Sequence, residues 1–280
     1  MARTPKGARF GKMEKMKIKS LGKKELIVFD LDGTLTPSKS SADREMAELL
    51  LQLLEKKRVA VIGGGKYGQF QEQLLAKLPR RDARLQNLSI FPTTSNAFYR
   101  YRNGWKNVYT LNLPPREKAN IRRAFKEVFK KIHYVHPKKV YGVLLEDRGT
   151  QMSFSPLGQE VVTVLGEKGI ALKEKWKKEN NPVRLKMAKL LGKRLPHLEV
   201  HVGGITTIDI TRKGIDKAYG VRQIKKYLHV PIGKMVFVGD ALFPGGNDYA
   251  AKKSGIQCIP VRGPEDTKRI IRQILQDSEA

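Results

Sequence analysis

The sequence predicts an α/β protein: a doubly wound, mostly parallel sheet into which a separate α+β unit is inserted. Three observations predict it. Leu26-Ile27-Val28-Phe29, Val59-Ala60-Val61-Ile62 and Met235-Val236-Phe237-Val238 are short continuous apolar runs, the pattern of strands buried on both faces of a parallel sheet. Segments with apolar residues at helical spacing separate them, giving a β-α-β order. Residues from about 90 to 210 instead offer alternating strands and longer helices, the pattern of a mixed insertion.

Each element has its own warrant. Ordered structure is expected from Glu25 onward. After the first strand, Ser40 or Ser41 can cap a helix to about Lys56, with Met46, Leu49, Leu50 and Leu53 on one face. The second strand ends in Gly63-Gly64-Gly65, and a further helix carries Phe70, Leu74 and Leu75. In the middle region, residues 97–101 and 105–111 form a hairpin around Asn103-Gly104. Ile121, Phe125, Val128, Phe129 and Ile132 recur at helical spacing. Strands are expected over 140–145 and 151–155, a helix starting at Asn181-Pro182, and strands over 198–202 and 206–210. The α/β pattern then resumes with a helix over 214–228, strands over 235–238 and 257–261, and a last helix opened by Pro264. The expected division is a core of 25–87 with 211–280, an insertion of 88–210, and a basic tail of 1–24.

Composition narrows the function classes. The chain has 280 residues and a formal net charge of +28. A surface so positive attracts polyanions and steers phosphorylated ligands. The tail carries nine Lys and Arg against Glu14 alone, which suits non-specific polyanion binding, but no zinc-finger spacing or aromatic RNP-type run accompanies it. No apolar run approaches the roughly 20 residues of a membrane helix, and no secretory-type apolar segment follows the basic start. Cys258 has no partner for an internal disulfide and reads as a small core residue. A cytoplasmic protein is expected. The five histidines share no metal-ligand spacing.

Two acid clusters carry the chemistry. Asp30-Leu31-Asp32-Gly33-Thr34-Leu35-Thr36 directly follows a buried strand, where open α/β sheets bind ligands. Asp30 can attack phosphorus and carry the phosphoryl group. Asp32 can protonate the leaving oxygen and then deprotonate the incoming nucleophile. Gly239-Asp240 ends another buried strand and leads into Gly245-Gly246-Asn247-Asp248. A hard cation such as Mg²⁺ takes oxygen ligands; Asp30 and Asp240 can supply carboxylates, with Asn247 or Asp248 as ligand or outer support. Lys213-Gly214-Ile215-Asp216-Lys217 places a lysine at a helix start, able to meet the nucleophile or a phosphate oxygen.

These three runs, in this order, resemble the haloacid dehalogenase superfamily. They are most similar to its branch with a large inserted α/β cap, subclass IIB, which holds sugar-phosphate phosphatases and eukaryotic-type phosphomannomutases. The phosphomannomutase pattern Asp-x-Asp-Gly-Thr-Leu-Thr-Pro is met from Asp30 to Pro37. Its glycine-rich second motif is met at Gly63 to Gly65, with Gln71-Glu72-Gln73-Leu74 after it. Lys-Gly-x-Asp-Lys is met from Lys213 to Lys217, and Gly-Gly-Asn-Asp from Gly245 to Asp248. The resemblance implies Asp30 as nucleophile and metal ligand, Asp32 as acid/base with its backbone carbonyl on Mg²⁺, and Asp240 as the remaining carboxylate ligand. Lys217 would steady the phosphorylated aspartate. It implies substrate contacts at Lys39 and, in the cap, at Arg148, Thr207 and Asp209. The backbone of Gly64 and Gly65 would replace the Ser or Thr with which many members hold the phosphoryl group.

One departure bears on the reaction. Mutases hold the distal phosphate of a bisphosphate with several cap arginines, yet Gln159 stands where one is expected and 165–167 contain none. A neutral amide does not replace a guanidinium fork at a phosphate. The leading expectation is therefore Mg²⁺-dependent hydrolysis of a small phosphorylated metabolite, a sugar phosphate by class. The alternative is a phosphomannomutase interconverting mannose 6-phosphate and mannose 1-phosphate. A third reading is a nucleic-acid-binding protein with residual phosphatase activity. The cap is also the expected surface for any oligomer.

Overall fold

A computed structural model describes residues 21–38 and 40–278. Lys39 and the first twenty residues of the basic tail lie outside the described residues. The strands are β1 (Leu26–Asp30), β2 (Arg58–Ile62), β3 (Leu88–Phe91), β4 (Ala97–Tyr101), β5 (Trp105–Thr110) and β6 (Leu145–Asp147). They continue with β7 (Gln151–Phe154), β8 (Leu198–Gly203), β9 (Thr207–Arg212), β10 (Met235–Gly239) and β11 (Gln257–Pro260). The helices are α1 (Arg44–Lys56), α2 (Tyr67–Gln73), α3 (Pro115–Lys131), α4 (Val161–Leu165), α5 (Glu167–Arg194), α6 (Lys217–Leu228) and α7 (Pro264–Asp277). Among the described residues no helix is long and apolar enough to cross a membrane.

The chain divides into two compact units, the first reaching to Tyr109 and resuming at Asp216, the second spanning Thr110–Ile215. In the first, seven strands run in the order β11-β10-β1-β2-β3-β4-β5. β1 pairs parallel to both β10 and β2, and the parallel pairing extends to β11 and β3. Every residue of β1 is buried, because both faces are covered. Ile27, Phe29, Val59 and Val61 pack with Leu50 and Leu53 of α1 and Ile271 and Ile274 of α7. Leu26, Val28, Ala60 and Phe237 pack with Val221 and Ile224 of α6 on the other face. Two-sided burial is why these strands read as unbroken apolar runs rather than alternating ones.

In the second unit the sheet order is β6-β7-β9-β8, antiparallel throughout. Met152, Phe154, Ile208 and Ile210 face Ile121, Phe125 and Val128 of α3 and Met187 and Leu191 of α5. The intervening residues, Ser153 and Asp209 among them, fall on the opposite face by the period of two.

Four expectations are corrected. The boundary expected after residue 87 lies inside the first unit: Ile90 pairs with Val61, and β4 then adds antiparallel to β3, so the Asn103-Gly104 hairpin extends the core sheet. The cap of α1 is Asp43, whose carboxylate accepts from the Met46 N–H at 2.8 Å, rather than Ser40 or Ser41. Asn181-Pro182 does not start a helix, since Pro182 lies within the 28-residue α5. Pro182 is exposed there, so the carbonyl that loses its N–H partner can be hydrated. The strand expected over 140–145 forms instead at Leu145–Asp147.

α1 and α7 are tied by one ammonium. Lys268 Nζ, itself buried, meets Asp43 at 2.7 Å, Glu45 at 2.9 Å and Glu265 at 2.7 Å. That contact, with the Met46 N–H, holds the Asp43 carboxyl below its ordinary value. Cys258 is half-buried beside the α6-side core, and burial pushes its thiol up to about 11.

Candidate active site

The parallel register brings the acid clusters together. Phe29 is level with Val238 on adjacent strands, so Asp30 and Asp240 leave the same edge of the sheet side by side. After Asp30 the chain turns back sharply: Leu35 and Thr36 N–H groups both donate to the Leu31 carbonyl at 3.0 Å, and Gly33 N–H to the Thr36 carbonyl at 2.7 Å. Gly33 sits at φ +83°, and a Cβ there would lie 2.5 Å from an Asp240 carboxylate oxygen. The glycine serves both the turn and the approach of the two acids.

Asp248 completes the group. Its Oδ2 accepts from the Ala241 N–H at 3.0 Å, which folds the glycine-rich loop back onto the end of β10. A Cβ at Gly239 would lie 2.3 Å from the same carboxylate. Asn247, by contrast, is exposed, and the structure does not draw it into the cluster. Asp30, Asp240 and Asp248 bring ligand oxygens within 4.8 Å of one another, a donor set that fits a hard divalent cation.

Lys217 is the counter-charge. It is the first residue of α6, whose cap Asp216 accepts from the Tyr219 N–H at 2.8 Å. Its Nζ donates to both Asp30 Oδ1 and Asp248 Oδ1, and all three residues are at most 3% exposed. Burial pushes the Asp30 carboxyl up to about 7; Lys217 opposes this, while Asp248 and Asp240 add to it. Burial would lower the Lys217 ammonium, but Asp30 and Asp248 outweigh it and hold it above the ordinary lysine value. Burial, then Asp248, raises Asp240 as well. An excess of buried carboxylate over ammonium disfavours full ionisation, and a bound cation relieves it.

Asp32 is held by Gln69, which the sequence did not single out, and by Gln73, which it marked only as part of the run after the glycine-rich motif. Gln69 Nε2 donates to Asp32 Oδ2 at 3.2 Å and Gln73 Nε2 to Oδ1 at 3.5 Å. The two glutamines lie four apart on α2, so one helix face presents both amides. That spacing was the available signal.

The loop after β2 is fixed from behind. Thr93 and Thr94 N–H groups donate to the Gly65 and Gly63 carbonyls at 2.8 and 2.9 Å. To do so Thr93, Thr94 and Ser95 adopt successive positive φ of 47°, 55° and 71°, a left-handed turn that costs about 1–2 kcal/mol per non-glycine residue. With those carbonyls engaged, the N–H of Gly64 points the other way, as the two groups of one peptide must.

In the second unit, Arg148, Gln159, Ser153 and Asp209 form one hydrogen-bonded row. Arg148 donates to Glu146 at 2.7 Å and to Gln159 Oε1 at 3.3 Å. Gln159 Nε2 donates to the Ser153 carbonyl at 2.7 Å, and Ser153 Oγ to Asp209 at 2.5 Å. Thr207 donates to the Gly203 carbonyl at 2.7 Å. Arg148 is therefore charge-matched by Glu146, a partner the sequence did not reveal.

The family model for eukaryotic phosphomannomutase matches residues 46–277. The chain belongs to the eukaryotic phosphomannomutase family. The phosphomannomutase of Encephalitozoon cuniculi is 28% identical over 257 residues, covering 90% of this chain and 94% of that one. That of Saccharomyces cerevisiae is 26% identical, covering 89% and 93%. Among solved structures, IMP-bound Plasmodium falciparum IMP-nucleotidase superposes with a TM-score of 0.64 at 16% identity, over 93% of this chain and 70% of that one. Aspergillus fumigatus trehalose-6-phosphate phosphatase does so with 0.55 at 15% identity, over 94% and 98%. These likenesses establish the haloacid dehalogenase fold; with the family match, this phosphomannomutase-family chain is a phosphoryl-transfer enzyme of that superfamily.

Proposed function

We propose that the protein is a Mg²⁺-dependent phosphohydrolase of a small phosphorylated metabolite, a sugar phosphate by class. The observation that carries this reading is the buried contact of Lys217 with Asp30 and Asp248, with Asp240 alongside. Asp30 and Asp240, with the backbone carbonyl of Asp32, would hold the metal, which when bound offsets charge on the transferring phosphoryl group. Asp248 is committed to Lys217 and to the Ala241 N–H, so its part is to orient.

The residues divide the reaction as follows. An Asp30 oxygen attacks phosphorus as the bond to the leaving oxygen breaks, and Asp32 delivers its proton to that oxygen. Lys217 remains beside the phosphorylated Asp30 and balances the phosphoryl charge. Asp32, now ionised and held by Gln69 and Gln73, takes a proton from water, which attacks phosphorus and regenerates Asp30. The Gly64 and Gly65 N–H groups donate to the phosphoryl oxygens. Arg148, Thr207 and Asp209 are assigned to the organic part of the substrate, as is Lys39.

The second reading is sugar-phosphate mutase activity, favoured by the family match over 46–277. Against it stands the state of Arg148, already neutralised by Glu146, and of Gln159, already using both ends of its amide. The protein would be incubated with Mg²⁺ and sugar monophosphates, with and without a hexose bisphosphate, and free phosphate and isomerised product measured together. Phosphate release that disappears in Asp30→Asn supports hydrolysis. Bisphosphate-dependent isomerisation with little release overturns it in favour of the mutase.

A further inference from the structure

The outer faces of α3 and α5 carry more positive charge than the described carboxylates beside them pair with. The second unit has 22 Lys and Arg against 10 Asp and Glu, and the surplus is concentrated. From residue 180 to 198 there are five cations and no acid at all. Lys126, Lys130 and Lys131 of α3 and Lys186, Lys189 and Lys193 of α5 are all exposed. Among the described residues none of the six has a carboxylate within ion-pair distance; the local acids Glu127 and Glu117 are taken by Arg194 and His197, and Asp147 by Lys118 and Arg122.

This is not the habit of the whole chain. In the first unit Lys268 meets three carboxylates, Arg84 two, and Asp266 is shared by Arg262 and Arg269. On α3 and α5 like charges recur one turn apart, as at Lys126 and Lys130, an arrangement that opposes helix formation. Such rows gain a favourable role when an external anion with repeated charges lies along them.

We propose that this two-helix face is a docking surface for a nucleic-acid duplex, gripped through its phosphodiester backbone. Lysines at successive helical turns match a partner whose charges repeat regularly along its length. The face offers no platform for unstacked bases: Phe125 and Trp176 are buried, and Phe129 is half-buried. That excludes the aromatic stacking on which single-strand binders depend, and leaves contact with phosphates, which is independent of base sequence. The inference does not rest on the phosphatase reading.

The test is the salt dependence of binding of the full chain to a 20-base-pair DNA duplex, followed by fluorescence anisotropy. Each phosphate contact contributes about −0.9 to the slope of log affinity against log salt. Lys126→Ala, Lys130→Ala, Lys186→Ala and Lys189→Ala combined should make that slope shallower by about 3.6. The same number of changes in the first unit, at Lys225, Lys226, Lys252 and Lys253, should change it by less than about 1. Whatever the basic tail contributes is common to both variants. The four Lys→Arg changes on α3 and α5 should retain binding, which separates charge from folding. Equal losses in the two alanine variants would overturn the proposal, as would tighter binding to single-stranded DNA or to phosphatidylserine vesicles than to the duplex.

Discussion

Two polar clusters, one in each unit, are built on opposite principles. The Asp30–Lys217–Asp248 cluster draws its members from a strand end, a helix start and a glycine-rich loop, and buries all three. The Arg148–Gln159–Ser153–Asp209 row is laid across the polar face of an antiparallel sheet. In the first, desolvation sets the chemistry: the charges are strong, mutually dependent and costly to separate. In the second, partners lie within one or two strands of each other, and Arg148, Gln159 and Asp209 keep partial contact with solvent although Ser153 is buried, so those three can change with smaller consequence. Reaction chemistry fits the first kind of site and selectivity fits the second.

The sharpest way to break the contrast is Lys217→Met. It strands two buried carboxylates, and unfolding in urea should show a loss of about 3–5 kcal/mol, together with loss of phosphate release. A loss no larger than that of an exposed lysine would erase the distinction. Gly33→Ala should follow, destabilising by about 1–3 kcal/mol because a side chain is placed at positive φ against Asp240; weaker Mg²⁺ binding by calorimetry would show that the strain reaches the acids.

Changes in the row should act on selectivity instead. Gln159→Arg adds a guanidinium beside Arg148 and should improve KM for a bisphosphorylated sugar several-fold with little change in kcat; a fall in kcat with unchanged KM would assign Gln159 to the chemistry. The smallest effect belongs to the exposed rim of the Lys268 clamp. Asp43 is held below its ordinary value of 3.8, so the stability it contributes is complete above that pH and fades as the pH falls below it. Melting temperatures measured from neutral pH downward should drop less steeply through that range in Lys268→Met than in the unaltered protein.

The legibility of the two clusters in the sequence differs for the same physical reason. Asp30 and Asp32 announce themselves because a strand buried on both faces must be apolar, so acids at its end stand out. Asp240 shares that signal, Asp248 was marked by the Gly-Gly-Asn-Asp run, and Lys217 sits at a recognisable helix start. Gln73 stood in the run after the glycine-rich motif with no role marked for it, and Gln69 carried only its four-residue spacing from it. Glu146 and Ser153 carried less, since any alternating strand exposes polar residues. Asn247 read as well as Asp248, yet only Asp248 has a buried N–H and an ammonium to meet.

By itself the sequence determined the doubly wound class, the strand ends that bear the acids, and the surplus of positive charge, because each follows from local periodicity or simple composition. Only the tertiary structure decided that β3, β4 and β5 extend the first sheet, that α5 runs unbroken through Pro182, and that Asp248 rather than Asn247 turns inward. It also decided that Glu146 neutralises Arg148, while among the described residues Lys126, Lys130, Lys131, Lys186, Lys189 and Lys193 have no carboxylate within ion-pair distance. Strand register, solvent exposure and charge pairing depend on which distant residues become neighbours, and no local pattern encodes that.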